Sequence, residues 1–472
     1  MKNKVFNPFL PGWEYIPDGE PHVFGDRIYL FGSHDRFGGD NYCQNNYVCW
    51  SAPVDDLSDW FFHGQIYDIK SDPFNSTGEY CGYAPDVCCA PDGKYYLYYA
   101  LSHHGSISVA VSDTPAGKYR FLGHIKTSDG RLYGLDNGDC YLFDPAVLVD
   151  SDGRVHLYTG FSPTDHMTEL SEKYKDWLND GAYHLELSED MLTIKTEPKM
   201  VIPGSVVAGG TGFEGHAFFE APSIRCFEGK YYFIYSSQLY NELCFAISDD
   251  PRGPYIYGGT LVSNCDIGYN GNIQKLNHDG NNHGSIEKID DKYYVFYHRH
   301  TNMTPYSRQA CAEIIKMDIN GNFNQSEITS MGLMEKPFEA MGEFPARIAC
   351  NLSGKNGDFY SEAAPYFTQS GADREEFDDQ YIANMNDGSW AGFKYFKFNG
   401  TEKLSIKIRS SGNGIITVFT ALDGERFGEF IVTECEDYQW LEATVKIPVG
   451  VYPLYFVYKG DGKIDFSAFR FT

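Results

Sequence analysis

Over most of its length the chain alternates short apolar and aromatic runs with polar turns, and one arrangement recurs. GDRIYLFGSH begins at Gly25, GKYYLYYALS at Gly93, GRVHLYTGFS at Gly153, GKYYFIYSSQ at Gly229 and DKYYVFYHRH at Asp291. Each copy opens on a tight-turn residue, passes a basic residue in most cases, and enters a run of aromatic and β-branched residues. That is the pattern of a hairpin turn leading into a buried strand. The copies are spaced roughly 60 to 76 residues apart, wider than the roughly 40 to 50 of common propeller repeats, and insertions between strands supply the difference.

Just upstream of each copy stands a titratable residue. The segments are PDGEPHVF with Asp18, APDVCCAPD with Asp86, FDPAVLVDSD with Asp144, FEAPSIRCFE with Glu220 and NNHGSIEKID with His283. Each of these residues heads the strand that leads into the turn. Taken singly, any of them fits turn chemistry, because Asp-Pro and Pro-Asp pairs initiate turns. Five in phase with five hairpins point instead to convergence, since hairpins arranged radially bring such positions to one axis.

Near residue 330 the pattern changes. KLSIKIRSS alternates Leu404, Ile406 and Ile408 with polar neighbours, the period of a half-buried strand. GIITVFTAL, WLEATVKIPVG and YPLYFVYKG continue as short strands between Gly, Asp and Asn turns, which predicts an antiparallel β-sandwich. The expectation is an all-β chain of two domains, 1–330 and 331–472, as its 472 residues also suggest. One helical signal, TELSEKYKDWLND at Thr168 to Asp180, reads as a surface insertion in the third repeat.

Charge and composition narrow the function. A net charge of -27 repels phosphate backbones and anionic membranes, so nucleic acid and membrane surfaces are not expected partners. Aromatics at 16% suit β-sheets and also sugar rings. The 12 cysteines lack the paired spacing of a zinc site or redox dithiol and read as small buried hydrophobes. MKNKVFNPFLPGWEY has no apolar core for a signal peptide, and the expected location is the cytoplasm, provided no leader precedes it. A phosphoryl-transfer reading lacks a Gly-rich phosphate loop.

Carboxylates facing one another in a cavity cannot all ionise, so at least one is pushed toward its protonated form. A protonated acid opposite an ionised base is what an inverting glycosidase uses, with the two roughly 6.5 to 9.5 Å apart; a retaining enzyme sets them about 5 to 5.5 Å apart.

The five blocks, NPFLPGWEYIPDGEPHVFGDRIYL, YAPDVCCAPDGKYYLYYA, FDPAVLVDSDGRVHLYTG, EAPSIRCFEGKYYFIYSS and NNHGSIEKIDDKYYVFYHRH, together resemble glycoside hydrolase family 43. The resemblance implies a five-bladed β-propeller over 1–330 and an inverting mechanism on arabinofuranosides, xylosides or related glycans. It implies Asp18 as general base, Asp144 as the carboxylate that orients the acid and tunes its pKa, and Glu220 as general acid. Asp86 lies in YAPD, where the family often has tryptophan in place of Tyr83; both are expected at the substrate, with Asp86 shaping the site or holding loops rather than transferring protons. Arg308 in YSRQACAEI matches an arginine that reaches the active centre, binding sugar hydroxyls and setting nearby carboxylates. His283 matches an axial histidine beside which the family places a calcium ion or an ordered water; calcium would draw mostly oxygen ligands. The chemistry itself needs no cofactor. The block departs from the family at Gly19 and Glu20, and Glu20 is either a partner behind the site or a residue to be mistaken for the base. The segment SHDRFGGDNYC offers aromatic and acidic walls through Phe37 and Asp35.

YIANMNDGSWAGFKYFKF and the ending GVYPLYFVYKGDGKIDFSAFRF resemble carbohydrate-binding module family 6, which implies a sandwich of jelly-roll type. Tyr381 and Trp390 are either sugar-stacking rings or core and interface residues, and a buttress for the propeller is the preferred reading. The function expected is exo-acting release of terminal α-L-arabinofuranose, with β-D-xylosidase activity beside it, from arabinose- or xylose-containing oligosaccharides. The alternatives are a β-xylosidase or galactosidase on the same frame, and a non-catalytic sugar-binding propeller.

Overall fold

The structure is a computed structural model, and it describes residues 5–136, 138–163, 180–357, 359–377 and 379–472. The helical signal at Thr168 to Asp180 lies, apart from Asp180, outside the described residues. Among those residues helix is confined to short 3-10 turns such as Ile69–Ser71 and Ala346–Ile348, so the chain is all-β with almost no helix.

From Glu20 onward the chain builds five antiparallel sheets in succession, with four strands in each of the first four and three in the fifth. Their leading strands are Glu20–Phe24, Gly82–Cys89, Ala146–Val149, Phe218–Phe227 and Ile286–Ile289. Each is followed by the aromatic strand that the repeats predict, for example Tyr95–Leu101 and Lys230–Ser237.

Hydrogen bonds join the leading strands in a closed circuit. His22 Nε2 and Asp86 Oδ1, 2.6 Å apart, link the first sheet to the second. The Val147 N–H donates to Asp86 Oδ2 at 2.7 Å, linking second to third, and the Ala221 N–H donates to Asp144 Oδ2 at 3.2 Å, linking third to fourth. Ser223 Oγ and Ser285 Oγ meet at 2.7 Å between fourth and fifth, and a parallel bridge between Gly19 and Gly284 returns to the first.

The apolar runs follow from this arrangement, because each sheet is buried on both faces and alternation is lost. In Lys230–Ser237, Phe233 and Tyr235 pack with Tyr158 and Ala182 of the third sheet. Their neighbours Tyr232 and Ile234 pack with Val295 and Tyr297 of the fifth. Five such wedges separate the five sheets; the one between first and fifth also takes in Phe9, Leu10 and Trp13 ahead of the first strand.

Beyond residue 337 two six-stranded sheets form, one around Trp390–Phe398 and Gly450–Gly460, the other around Thr401–Ser410 and Ile464–Phe471. One apolar core holds residues from both, including Phe393 and Phe456 with Ile406 and Phe469. Leu404, Ile406 and Ile408 point into it as their alternation predicts.

Three cations, two of them buried and Arg374 half-buried, bolt this part to the ring of five sheets. Lys394 Nζ lies 3.2 Å from Asp266 Oδ2 and 2.9 Å from Glu327 Oε1. Arg299 lies 3.9 Å above the Phe367 ring and donates to the Arg347 carbonyl at 2.7 Å. Arg374 binds the buried Glu14 carboxylate and covers the Trp13 ring at 4.9 Å.

Removing one partner of a buried ion pair leaves a charge without solvation. Lys394→Met is therefore expected to cost about 3–5 kcal/mol, read as a lowered urea midpoint, and adding Asp266→Asn is expected to recover much of it. An unchanged midpoint in the single variant would show that Asp266 does not depend on this cation.

Candidate active site

The leading strands turn their first side chains toward the axis through repeated backbone kinks. Asp18, Ala84, Asp144 and Ala221 all have left-handed backbone, with φ of 55°, 36°, 48° and 63°. Residues other than glycine adopt this conformation at a cost of about 1 kcal/mol or more, which the surrounding sheets must outweigh. Register breaks accompany the kink between Tyr83 and Asp86 and between Glu220 and Ser223.

Around one mouth of the ring this places Asp18, Asp144, Glu220, His283 and Arg308 in a single cavity of 890 Å³, part of it open to solvent. Its wall is aromatic, built by Tyr42, Tyr83, Tyr141, Phe143, Phe219 and Tyr240. Asp86 and Phe37, expected at the substrate, do not line it. In the second sheet the kink falls on Ala84, so Asp86 sits two residues further along the strand and a layer deeper. There it is fully buried and accepts from His22, the Val87 N–H and the Val147 N–H. Phe37 stacks on Tyr15 with ring centres 5.6 Å apart, behind the wall.

The charges in the cavity are ordered by a few contacts. Arg308 donates from Nε and Nη2 to the two oxygens of Asp35, at 2.9 and 3.0 Å, and from Nη1 to Asp18 Oδ1 at 3.0 Å. Asp35 thus aims one arm of a buried guanidinium at Asp18. Burial alone would push the Asp18 carboxyl up, but Arg308 and then His283 outweigh it and hold Asp18 below the usual carboxylate range. The Asp18 N–H donates to His298 Nδ1 at 3.3 Å, while His298 Nε2 donates to the Asn281 carbonyl at 2.7 Å. Burial and Arg308 keep His298 neutral, which leaves Nδ1 free to accept.

His283 is the centre of the cluster. Its Nδ1 lies 3.9 Å from Asp18 Oδ1 and 3.9 Å from Asp144 Oδ2, and its Nε2 lies 3.8 Å from Glu20 Oε1. Burial opposes its charge, yet Glu20, Asp18 and Asp144 push its pKa up to about 9. Asp144 is raised by burial, pulled back by His283 and raised again by Asp18, to about 7. Glu220 is driven well above the ordinary range by burial and then by the charge of Asp144. One cavity thus holds an ionised carboxylate, Asp18, and a protonated one, Glu220.

The pairing of Asp35 with Arg308, the support from His298, and the wall residues Tyr42 and Tyr240 were not marked by any spacing in the chain. Their partners are distant in sequence, and aromatics are common everywhere in it. His103, also on the cavity wall, carries a left-handed φ of 60° that no local pattern announces.

Behind the site, Glu20 Oε2 accepts from Arg225 Nη2 at 2.8 Å, while the buried Glu20 Oε1 has no hydrogen-bond partner among the described residues. The gap between that oxygen and His283 Nε2 suits an ordered water or a small ion completing its shell with water. Two other clusters carry metal-ligand atoms, Glu20 with His22 and Asp86, and His216 with Glu242 and Cys244. Both are drawn together by their own hydrogen bonds, His22 to Asp86 at 2.6 Å and His216 to Glu242 at 2.6 Å.

Tyr381 and Trp390 lie outside the cavity. Arg409 covers the Tyr381 ring at 5.3 Å and donates to its hydroxyl at 3.2 Å, and Trp390 meets Tyr455 edge-on at 6.0 Å.

The family model described as Glycosyl hydrolases family 43 matches residues 6–323. A "Xylosidase/arabinosidase" of Thermoclostridium stercorarium is 46% identical over 480 residues, 99% of this chain and 99% of that protein. One of the same name from Bacteroides ovatus is 29% identical over 320 residues, 61% of this chain and 87% of that protein. Among solved structures, a family 43 arabinoxylan arabinofuranohydrolase from Bacillus subtilis in complex with cellotetraose gives a TM-score of 0.52 at 19% identity, covering 99% of this chain and 97% of that one. At that identity the likeness is one of fold.

The raised Glu220 pKa has a consequence for stability. Its unperturbed value is 4.5, and above it the unfolded chain sheds a proton that the folded chain keeps, so stability falls as pH rises toward the folded value. Glu220→Gln removes that loss. Its gain in Tm over the parent is expected to be small near about pH 4 and to grow toward about pH 8. A gain that does not change with pH would mean that Glu220 is ionised in the folded protein.

Proposed function

The chain belongs to glycosyl hydrolases family 43, and on that premise we propose an exo-acting, inverting enzyme that releases terminal α-L-arabinofuranose from hemicellulose-derived oligosaccharides. The observation that carries this reading is the split in protonation between Asp18 and Glu220 across one aromatic-walled cavity. The five sheets are read as the blades of a β-propeller spanning 1–330. The two six-stranded sheets are read as a jelly-roll sandwich over 331–472 that buttresses it, in the manner of a family 6 carbohydrate-binding module.

In this mechanism Glu220 gives its proton to the glycosidic oxygen as the bond from the anomeric carbon breaks. Asp18 takes a proton from a water that attacks the same carbon from the opposite side, so the sugar leaves with inverted configuration. Asp144 opposes ionisation of Glu220 and so keeps the acid protonated until the bond breaks. Arg308, held by Asp35, keeps Asp18 ionised and offers its guanidinium edge to sugar hydroxyls. Tyr83 and the other aromatic rings supply stacking faces to a single terminal sugar.

The second reading is β-D-xyloside hydrolysis, favoured because the 46% identical relative is named for both activities. The chemistry as drawn uses no cofactor. At the axis Glu20 and His283 would hold an ordered water, or a calcium ion were His283 to give up its proton, and only the ion would add fixed charge behind the acid cluster. The free cysteines, many of them buried, suit a reducing compartment, and the cytoplasm is the proposed location.

Turnover is expected on both nitrophenyl α-L-arabinofuranoside and nitrophenyl β-D-xyloside, with the larger kcat/KM on the former; a larger value on the xyloside would select the second reading, and none on either would overturn both. Proton NMR of the first-formed sugar is expected to show inversion, and retention would remove Asp18 as base.

Glu220→Gln is expected to lose about 10²–10⁴ in kcat/KM on oligosaccharides but less on aryl glycosides, whose leaving groups need little protonation. Asp18→Asn is expected to fail on both classes by a similar factor, because water activation is common to them. Equal losses for Glu220→Gln on both classes would reject it as the acid.

A further inference from the structure

We propose that Asp373, which lies in the C-terminal part of the chain and outside the cavity, is a positioning residue for the catalytic pocket. The loop it acts on runs from Asp35 to Asn45, between the strands Arg27–Phe31 and Tyr47–Pro53 of the first sheet. This loop has no strand partner, yet it carries two components of the site. Asp35 forks onto Arg308, and Tyr42 forms cavity wall with its ring 4.9 Å from the Arg308 guanidinium.

The loop's own bonds hold its tip and its start: the Cys43 N–H donates to Asp35 Oδ1 at 3.0 Å, the Gly39 N–H to the Arg36 carbonyl at 2.9 Å, and the Gln44 amide accepts from the Asp40 N–H at 3.1 Å and donates to its carboxylate at 2.9 Å. Asp373 supplies a brace from outside. Its Oδ1 accepts from the Phe37 N–H at 2.8 Å and its Oδ2 from Asn45 Nδ2 at 3.1 Å. One carboxylate thus spans the start and the end of the loop, and Asn45 in turn donates to the Asp35 carbonyl at 3.0 Å.

The brace is itself anchored. Gln369 Nε2 donates to the Ala372 carbonyl at 2.9 Å, and its Oε1 accepts from the Tyr15 hydroxyl at 2.6 Å, three residues before Asp18. The next residue, Arg374, lies against Trp13 and Phe62, at 4.9 and 5.1 Å from their rings. The segment 369–374 therefore ties the loop to the same stretch of chain that delivers the proposed base. A wall held this way is preorganised for the sugar, and loosening it weakens binding before it affects proton transfer.

The proposal goes beyond the choice of sugar, and its test has a readout that needs no substrate. In the full chain, Asp373→Ala is expected to speed amide hydrogen exchange over residues 36–45 and to leave the five sheets unchanged. On whichever nitrophenyl glycoside the parent turns over, KM is expected to rise about tenfold with kcat within about twofold. Asp373→Asn, which keeps one acceptor oxygen, is expected to recover part of both effects. Because the effect is carried by the wall, Asp373→Ala added to Tyr42→Ala is expected to cost no more than Tyr42→Ala alone.

Unchanged exchange over 36–45 would overturn the proposal. So would exchange that rises throughout the ring of sheets, or losses in the double variant that simply multiply. If neither glycoside is turned over by the parent while exchange over 36–45 still responds to Asp373→Ala alone, the brace stands and the substrate reading falls.

Discussion

The constraint on which the molecule depends is charge balance at a buried axis. Asp18, Asp144, Glu220 and Glu20 are all buried there or line the cavity, where little solvent is left to screen their mutual repulsion. Three cationic groups answer them: Arg308 beside Asp18, Arg225 beside Glu20, and His283 between Asp18, Asp144 and Glu20. The balance is uneven, and the unevenness is chemically useful. Asp18 has the guanidinium and ionises, whereas Glu220 faces the charge of Asp144 and keeps its proton.

Holding those groups together requires a rigid frame, and the five sheets supply it by burying both faces of their strands. Each wedge of aromatic side chains is shared by two neighbouring sheets, so no sheet can shift without disturbing both of its neighbours. The same sharing lets strained left-handed residues persist at Asp18, Ala84, Asp144 and Ala221, because the packing around them over-determines the backbone. Asp86 belongs to this frame rather than to the cavity: its carboxylate joins the first three sheets through His22 and Val147.

The C-terminal part is joined to that frame by cations, Lys394 and Arg299 buried and Arg374 half-buried, rather than by a loose linker. Lys394, Arg299 and Arg374 each cross the boundary to satisfy a carboxylate or a row of carbonyls. Tyr381 has its ring covered by Arg409, which is itself paired with Asp465 inside the C-terminal part.

Read alone, the chain was enough to show the repeat, the hairpins and the residues at their heads, because a turn followed by an aromatic strand is a local pattern. It also marked the change of period beyond residue 330, since Leu404, Ile406 and Ile408 alternate within a single strand. Depth along the axis was not legible: Asp86 and Ala84 are two residues apart, and only a backbone kink decides which of them reaches the mouth. Nor was partnership. Asp35 and Arg308 are 273 positions apart, and Phe37, which looked like wall, turns away while Tyr42 in the same loop turns in. Local order follows from the covalent neighbours of each residue and is written in the sequence. Protonation and the shape of the pocket arise from groups that meet only when the ring closes, and the tertiary structure alone decided them.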